Sequence, residues 1–422
     1  MRRSEFLATV MAGLTGGALL PHVLHAETRG VPAWPAGNPA DDRYWNFLRD
    51  QFPLSHERAY LNTGGLGASP YAVIDAVKAK MDELEQVSET GHADELLREI
   101  KTGAAALFGC HADELAFTRN TTEGINIVAN GLPFAPGDEV ILTTHEHVGN
   151  AATWVVLEKV KGVVLKRFEP STASAEENMA RITGLLSART RLIAIPHIVT
   201  TTGLVMPVRE ICALVRARKI WSFLDGAQSA GMMPFNLHDI GCDAYATSGH
   251  KWLLGPKETG FLYVRKEMLD TVTAHHVGAY SAGNFDFLSD RYVPHPTAQR
   301  YEYGTVSIPL RVVLGAAVAF IRRIGIDEIW KRDRALADRL YEGLKDIPDV
   351  VLLSSPDAAL RSAMTTFMHK RRPHLELQKH LDTLNLRTRS VTEGGLEALR
   401  ISTHVYTSSE EVDRVIAGVR TA

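Results

Sequence analysis

The sequence is poor in cysteine. Cys110, Cys212 and Cys242 are three in 422 residues, odd in number and without C-x-x-C spacing. That argues against a disulfide framework or a thiolate metal site and points to buried free thiols. There is no long run of Lys or Arg, and the formal net charge is -3, so nothing recommends nucleic acid as a partner. Beyond the first segment, no apolar run approaches the length of a membrane-spanning helix. Neither an internal repeat nor a low-complexity tract is present, which sets a repeat architecture aside.

What remains is an ordinary globular composition, 45% hydrophobic and 23% charged, in a chain too long for one core to serve well. Residues 1–26 differ from the rest. Arg2 and Arg3 precede an uncharged stretch from Phe6 to Leu20, and Ala26 ends the segment. This order of basic residues, apolar core and small residue reads as an export signal of twin-arginine type, so export machinery and a periplasmic or exported location are expected. Ser4-Glu5 spaces the arginines from Phe6 by one residue more than such signals usually do. A retained membrane anchor and a cytoplasmic protein are the alternatives. Residues 27–59 read as a linker and arm, with Gly30 to Pro39 rich in Gly, Pro and Ala.

From residue 60 strand and helix signals alternate. Tyr60 to Pro70 is a glycine-rich turn opening a helix over Tyr71–Gln86. Apolar runs at Glu139–Leu142, Val163–Leu165, Leu192–Ile195, Trp221–Leu224, Ala244–Ala246 and Gly260–Val264 predict strands. Helical segments at Gly124–Asn130, Ala175–Leu186 and Val208–Arg216 fall between several of them. Alternation of this kind predicts an α/β domain with a mostly parallel sheet over residues 60–309. Residues 310–422 read as a smaller α+β domain. One long helical stretch runs from Leu310 to Lys345, and strands follow near Val350–Leu353, Ala363–Met368 and Ala398–Ile401. A last helix begins at Ser408, where Ser408 and Glu411 form a capping box.

Three segments carry chemistry. Phe223 to Gln228 is an apolar strand ending in Asp225. Thr247 to Pro256 holds Lys251, and Thr118 to Asn126 is a hydroxyl-rich turn opening a helix. In open α/β sheets ligands collect at the carboxyl ends of strands, where all three would lie. A lysine can form a Schiff base with an aldehyde cofactor. A carboxylate can keep a pyridine nitrogen protonated. A helix N-terminus with Thr121 and Thr122 can bind a phosphate. Together these point to pyridoxal 5'-phosphate (PLP).

These motifs resemble the class V aminotransferases of PLP fold type I, which include cysteine desulfurases and isopenicillin N epimerase. The resemblance runs from about Tyr60 to the C-terminus. It implies a large domain with a mostly parallel seven-stranded sheet, a smaller C-terminal domain and a homodimer with shared active sites. Ser248-Gly-His-Lys251 matches the family's lysine motif, which makes Lys251 the cofactor lysine and Ser248 and His250 phosphate ligands. Asp225 and Gln228 match its D-x-x-Q element, with Asp225 on the ring nitrogen and Gln228 donating to the phenolic oxygen. Glu146-His147 implies His147 stacked on the ring. Thr305, in Arg300 to Thr305, is implied to reach the partner subunit's phosphate. Arg400, in Leu399 to Ser402, is implied to grip the substrate carboxylate.

Two departures stand out. Desulfurases carry a catalytic cysteine on a loop before the substrate arginine, and the stretch from Arg387 to Leu399 has none. Where the family has an asparagine near the phenolic oxygen, this chain has Thr200, followed by Thr201 and Thr202, any of which can donate there. The implied substrate is an amino acid or similar amine attacked at its α-carbon. The missing cysteine leans toward an isopenicillin N epimerase-like outcome. Transamination, a carbon–sulfur lyase or desulfurase-like reaction, and a non-catalytic PLP-binding protein are the alternatives. His145 and His147 without a third ligand do not make a metal site. Gly64, Gly65 and Gly67 lack the preceding strand of a dinucleotide loop and read as a turn at the active-site entrance.

Overall fold

Seven strands form the central sheet of the computed structural model, which describes residues 39, 41–87 and 94–422. They are β1 (Leu115–Thr118), β2 (Glu139–Thr143), β3 (Val164–Phe168), β4 (Thr190–Pro196), β5 (Trp221–Asp225), β6 (Ala244–Ser248) and β7 (Gly260–Val264). Their spatial order is β1-β7-β6-β5-β4-β2-β3. Only β7 runs antiparallel to its neighbours; the other pairs are parallel. The mostly parallel seven-stranded sheet is therefore as expected. Every residue of β1, β2, β6 and β7 is buried. That is why these strands read as near-continuous apolar runs rather than as alternating ones. The proposed signal peptide lies outside the described residues.

Helices cover both faces. They include α1 (Asp42–Arg49), α2 (Tyr71–Val87), α3 (Asp94–Phe108), α4 (Thr121–Gly131), α5 (Val148–Lys161), α6 (Ala175–Leu185) and α7 (Val208–Arg216). α1 falls in the expected linker and arm, where no helix was anticipated. Asp41 caps it by accepting the Arg43 N–H. Its buried Tyr44, Trp45 and Leu48 pack against Phe320, Ile324 and Tyr406. Arg49 then ties it to the last helix through a two-pronged contact with Glu411, at 2.6 and 2.7 Å. A hairpin of β8 (Ala282–Asp286) and β9 (Arg291–Pro294) projects from the large domain. Its residues Phe285, Phe287 and Leu288 are exposed.

The expected single helix from Leu310 to Lys345 is two helices, α8 (Ile308–Ile324) and α9 (Ile326–Lys345). Gly325 separates them with φ of 94°, a backbone conformation that side chains resist. The break lets each helix bury its face against a different partner. Val312, Leu314 and Val318 of α8 join the core under the large sheet. Leu336, Leu340 and Leu344 of α9 pack in the small domain.

The small domain is built on an antiparallel sheet ordered β10-β11-β13-β12, from β10 (Val350–Leu352), β11 (Met364–His369), β12 (Arg389–Val391) and β13 (Ala398–Ser402). Helices α10 (His374–Thr383) and α11 (Ser409–Arg420) cover it. Ser408 and Glu411 form the expected capping box at the start of α11. The N-terminal Ala59 and Leu61 are buried in this domain's core. The chain thus enters through the small domain and delivers the Gly64–Gly67 turn to the seam between the two.

Candidate active site

Strand ends bring the site together. β5 ends at Asp225 and β6 at Ser248, while β1 leads through Asn120 into α4, and β2 leads through Glu146 and His147 into α5. A cavity of about 270 Å³ opens where these ends converge. Thr121, Thr122, Ser248, His250, His147, Asp225, Thr200 and Lys251 are among the residues that line it.

The α4 N-terminus is prepared for an anion. Asn120 caps it by accepting the Glu123 N–H at 2.9 Å. The Thr121 hydroxyl lies 2.7 Å from the Ser248 hydroxyl, and the Thr121 N–H donates to the same Ser248 oxygen at 3.1 Å. His250 adds a buried Nδ1 with no partner. Hydroxyls, first-turn N–H groups and the helix dipole form the donor set that a phosphate requires.

Lys251 is buried, and burial lowers its pKa to about 8; nearby Asp225 opposes that shift, while Arg400 and Arg389 add to it. At neutral pH roughly a tenth of such an amine is unprotonated, far more than of a solvent-exposed lysine. Asp225 is also buried. Burial pushes its pKa upward, against the Ala227 N–H that it accepts at 2.8 Å and against Lys251. A cationic ring N–H is the partner that would restore its ionised form.

His147 is kept neutral. Burial lowers its pKa to about 4, reinforced by Lys251 and Arg389. Its Nδ1 accepts the Gly149 N–H at 3.0 Å, so it caps α5 and carries its hydrogen on Nε2. Glu146 braces this corner. Its two carboxylate oxygens accept the Thr143 N–H, the Thr143 hydroxyl and the Asn150 amide. Its burial raises its pKa to about 7, against the hydrogen bonds from Thr143 and Asn150.

The turn carrying Lys251 is held from behind. Leu254 sits at φ of 60° although it is not glycine, a strain on the order of 1 kcal/mol that needs support. Gly67 donates its N–H to the His250 carbonyl at 2.8 Å, and a Cβ at Gly67 would collide with the Lys251 carbonyl. His404 lies with Nε2 3.1 Å from the Trp252 carbonyl and Nδ1 2.8 Å from buried Asp333. A carbonyl can only accept, so Nε2 carries a proton and the His404–Asp333 pair shares one more. Neither Trp252, His404 nor Asp333 was identified from the sequence.

Two expected residues, Gln228 and Arg400, are placed differently. Gln228 lies behind Thr200. Its amide nitrogen donates to the Gly64 carbonyl (2.9 Å) and the Thr200 hydroxyl (3.1 Å), and its amide oxygen accepts the Trp252 indole. Both amide hydrogens that were expected to serve a phenolic oxygen are thus engaged by protein groups, while Thr200 lines the cavity. The Thr200 oxygen accepts from Gln228 and, at 2.9 Å, from Arg400, leaving its own hydrogen for the cavity. Thr201 instead meets His145, and the Thr202 carbonyl accepts from Ser354. Arg400 is buried behind Gly64 and Thr200 rather than on the cavity wall, and burial, then Arg389, lowers its pKa to about 9. Thr305 does not line this cavity; it lines a larger groove of about 1160 Å³ with Tyr280, His295 and Arg311. Arg389 does line the cofactor-sized cavity. Its position depends on strand pairing, which no local motif announces.

The lining suits a ligand with an aldehyde for Lys251, a basic ring nitrogen for Asp225 and an anion for the α4 N-terminus. Pyridoxal phosphate meets all three demands, and the chain is a PLP-dependent enzyme of fold type I. The class-V aminotransferase model matches residues 60–415, and the chain belongs to that family. It is 28% identical over 384 residues to a probable cysteine desulfurase of Methanothermobacter thermautotrophicus, covering 86% of this chain and 94% of the relative. Among solved structures it resembles the cysteine desulfurase of Thermococcus onnurineus, with a TM-score of 0.79 and 26% identity over 89% of this chain and 96% of that one. It also resembles the cystine C–S lyase C-DES in complex with cysteine persulfide, with a TM-score of 0.82 and 26% identity over 88% and 99%.

Proposed function

We propose that the protein is a carbon–sulfur lyase acting on a sulfur-containing amino acid without forming a persulfide on its own chain. The carrying observation is a site equipped with lysine and carboxylate but bordered by a segment, Arg387 to Leu399, that has no thiol. The three cysteines are placed elsewhere. Cys212 and Cys242 are buried and Cys110 half-buried. Burial raises all three thiols, Cys212 to about 12, so none is a ready thiolate. The named relatives are desulfurases and a C–S lyase rather than epimerases, which favours carbon–sulfur cleavage over the epimerase-like outcome expected first.

When bound, PLP supplies an electron sink for the charge left at the substrate α-carbon. The chain's own groups do the rest. Asp225 holds the proton on the ring nitrogen, and His147, kept neutral, offers a flat face. The Lys251 amine, with its lowered pKa, takes the α-proton and can return a proton to the departing sulfur. The buried walls exclude water from these transfers. The test combines product analysis with a cysteine-free variant. Replacing Cys110, Cys212 and Cys242 by Ala or Ser should keep turnover within about twofold, with thiol or persulfide released into solution in equal amount to the keto acid. A persulfide trapped on one of these cysteines, with activity lost when it alone is replaced, would restore the desulfurase mechanism. Epimerised amino acid as the sole product would restore the epimerase.

We further propose a homodimer in which Thr305 serves the neighbouring site. Support comes from its place in a separate groove, off its own cavity wall, and from the exposed Phe285, Phe287 and Leu288 of the β8–β9 hairpin, an apolar surface suited to a second copy. Dilution monitored by sedimentation should release cofactor as dimer converts to monomer, and Thr305→Ala should weaken cofactor retention. A monomer retaining full cofactor would count against both.

A further inference from the structure

Arg389 and Arg400 face each other across β12 and β13 as directly opposed residues of an antiparallel pair. Opposed residues point to the same side of the sheet with Cβ atoms roughly 5 Å apart, where like charges repel. Two arginines thus rise from neighbouring positions on one side of the sheet beside the cofactor cavity, with Lys251 as a third cation nearby. Such a cluster is costly unless anions complete it.

The two arginines are matched differently. Among the described residues Arg400 contacts neutral acceptors, the Thr200 carbonyl and hydroxyl and, at 3.5 Å, the Asn62 amide oxygen, and its buried Nε has no partner there. Arg389, on the cavity wall, is paired with the carboxylate of Glu393, while its buried Nη1 has no partner. Glu393 stands on the short turn Glu393–Gly395, where Gly394 and Gly395 have φ of 68° and 74°. Both residues of the pair remain partly accessible, at 24% and 20% of their side-chain surface. An incoming carboxylate can therefore replace that of Glu393 without leaving the guanidinium unpaired.

We propose that Arg389 is a second carboxylate subsite, occupied in the resting protein by Glu393, and that the substrate carries an acidic group at the end of its sulfur substituent. This rests on the lyase reading and on the resemblance's assignment of the α-carboxylate to Arg400, whose guanidinium lies just behind Gly64 and Thr200 and would turn from the Thr200 oxygens toward the cavity to take it. The substrate class is then a cysteine thioether or disulfide ending in a carboxylate, with Arg400 and Arg389 each taking one acid. Glu393 returns to Arg389 when the sulfur fragment departs.

The test uses two unreactive probes that lack the amino group, measured calorimetrically on the holoenzyme: 3-(carboxymethylthio)propionate, a diacid, and 3-(ethylthio)propionate, its monoacid counterpart. The diacid should bind at least fivefold more tightly. Arg389→Ala should bring the diacid to the monoacid's Kd while leaving the monoacid within about twofold of its original value. Arg389→Lys should keep part of the preference, and Glu393→Gln should tighten the diacid further. A diacid preference below fivefold in the unaltered holoenzyme, or equal weakening of both probes by Arg389→Ala, would overturn the second subsite. Failure of the underlying reading has a different signature: monoacid binding unchanged by Arg400→Ala, whatever Arg389 does.

Discussion

Replacing Lys251 by Ala is expected to cut turnover by at least about ten-thousandfold, equivalent to roughly 5 kcal/mol of transition-state stabilisation. The size follows from two losses at one atom. In the proposed reaction the buried amine, with its pKa lowered to about 8, has two tasks: reacting with the cofactor aldehyde and moving the α-proton. Alanine fits the space and leaves the backbone turn, gripped by Gly67 and His404, in place. The variant should therefore fold, and small primary amines should restore part of the rate in proportion to their concentration. Turnover within tenfold of the parent would show that another base serves the α-carbon.

The second large effect is expected at Asp225. Asp225→Asn keeps the shape but not the charge, and an amide cannot hold a proton on a ring nitrogen. The electron sink then weakens, and a loss of about 4 kcal/mol is roughly a thousandfold in rate. The phosphate cradle at Thr121 and Ser248 is untouched, so cofactor affinity should fall much less than turnover. Near-normal rates in the Asn variant would mean that the ring nitrogen has another partner.

These two residues were legible in the sequence because their signals are local. β5 is buried along four of its five residues and ends in an acid, so Trp221–Asp225 reads as an apolar run followed by chemistry. The α4 start is equally local, since Asn120, Thr121 and Thr122 announce a helix N-terminus with hydroxyls. α5 was not seen. Its Val148, Val156 and Val160 are exposed and blur the apolar stripe that buried Trp154 and Leu157 would otherwise draw. The break at Gly325 was missed because apolar spacing continues across it, and only packing against two different partners reveals why the chain turns there.

The supporting groups of the site were hidden for another reason. Asp333 and His404 meet across two elements of the small domain, and their contact to the Lys251 turn crosses into the large domain. Arg389 reaches the cavity because β12 pairs with β13 in a register that sets it opposite Arg400. Register is fixed by which face is buried, and no spacing in the chain states it. Gln228 was identified by motif, yet its amide is engaged by Gly64, Thr200 and Trp252, so the hydroxyl presented to the cavity is that of Thr200. A motif names the residues in a neighbourhood; the hydrogen bonds decide which of them faces the ligand.

The most direct test is to locate the cofactor on the chain. Borohydride reduction of the holoenzyme, followed by proteolysis and mass spectrometry, should find one pyridoxyl phosphate group, on the peptide containing Lys251 and on that side chain. Label on a different lysine, or an active enzyme that takes up no label, would contradict the assignment of this site.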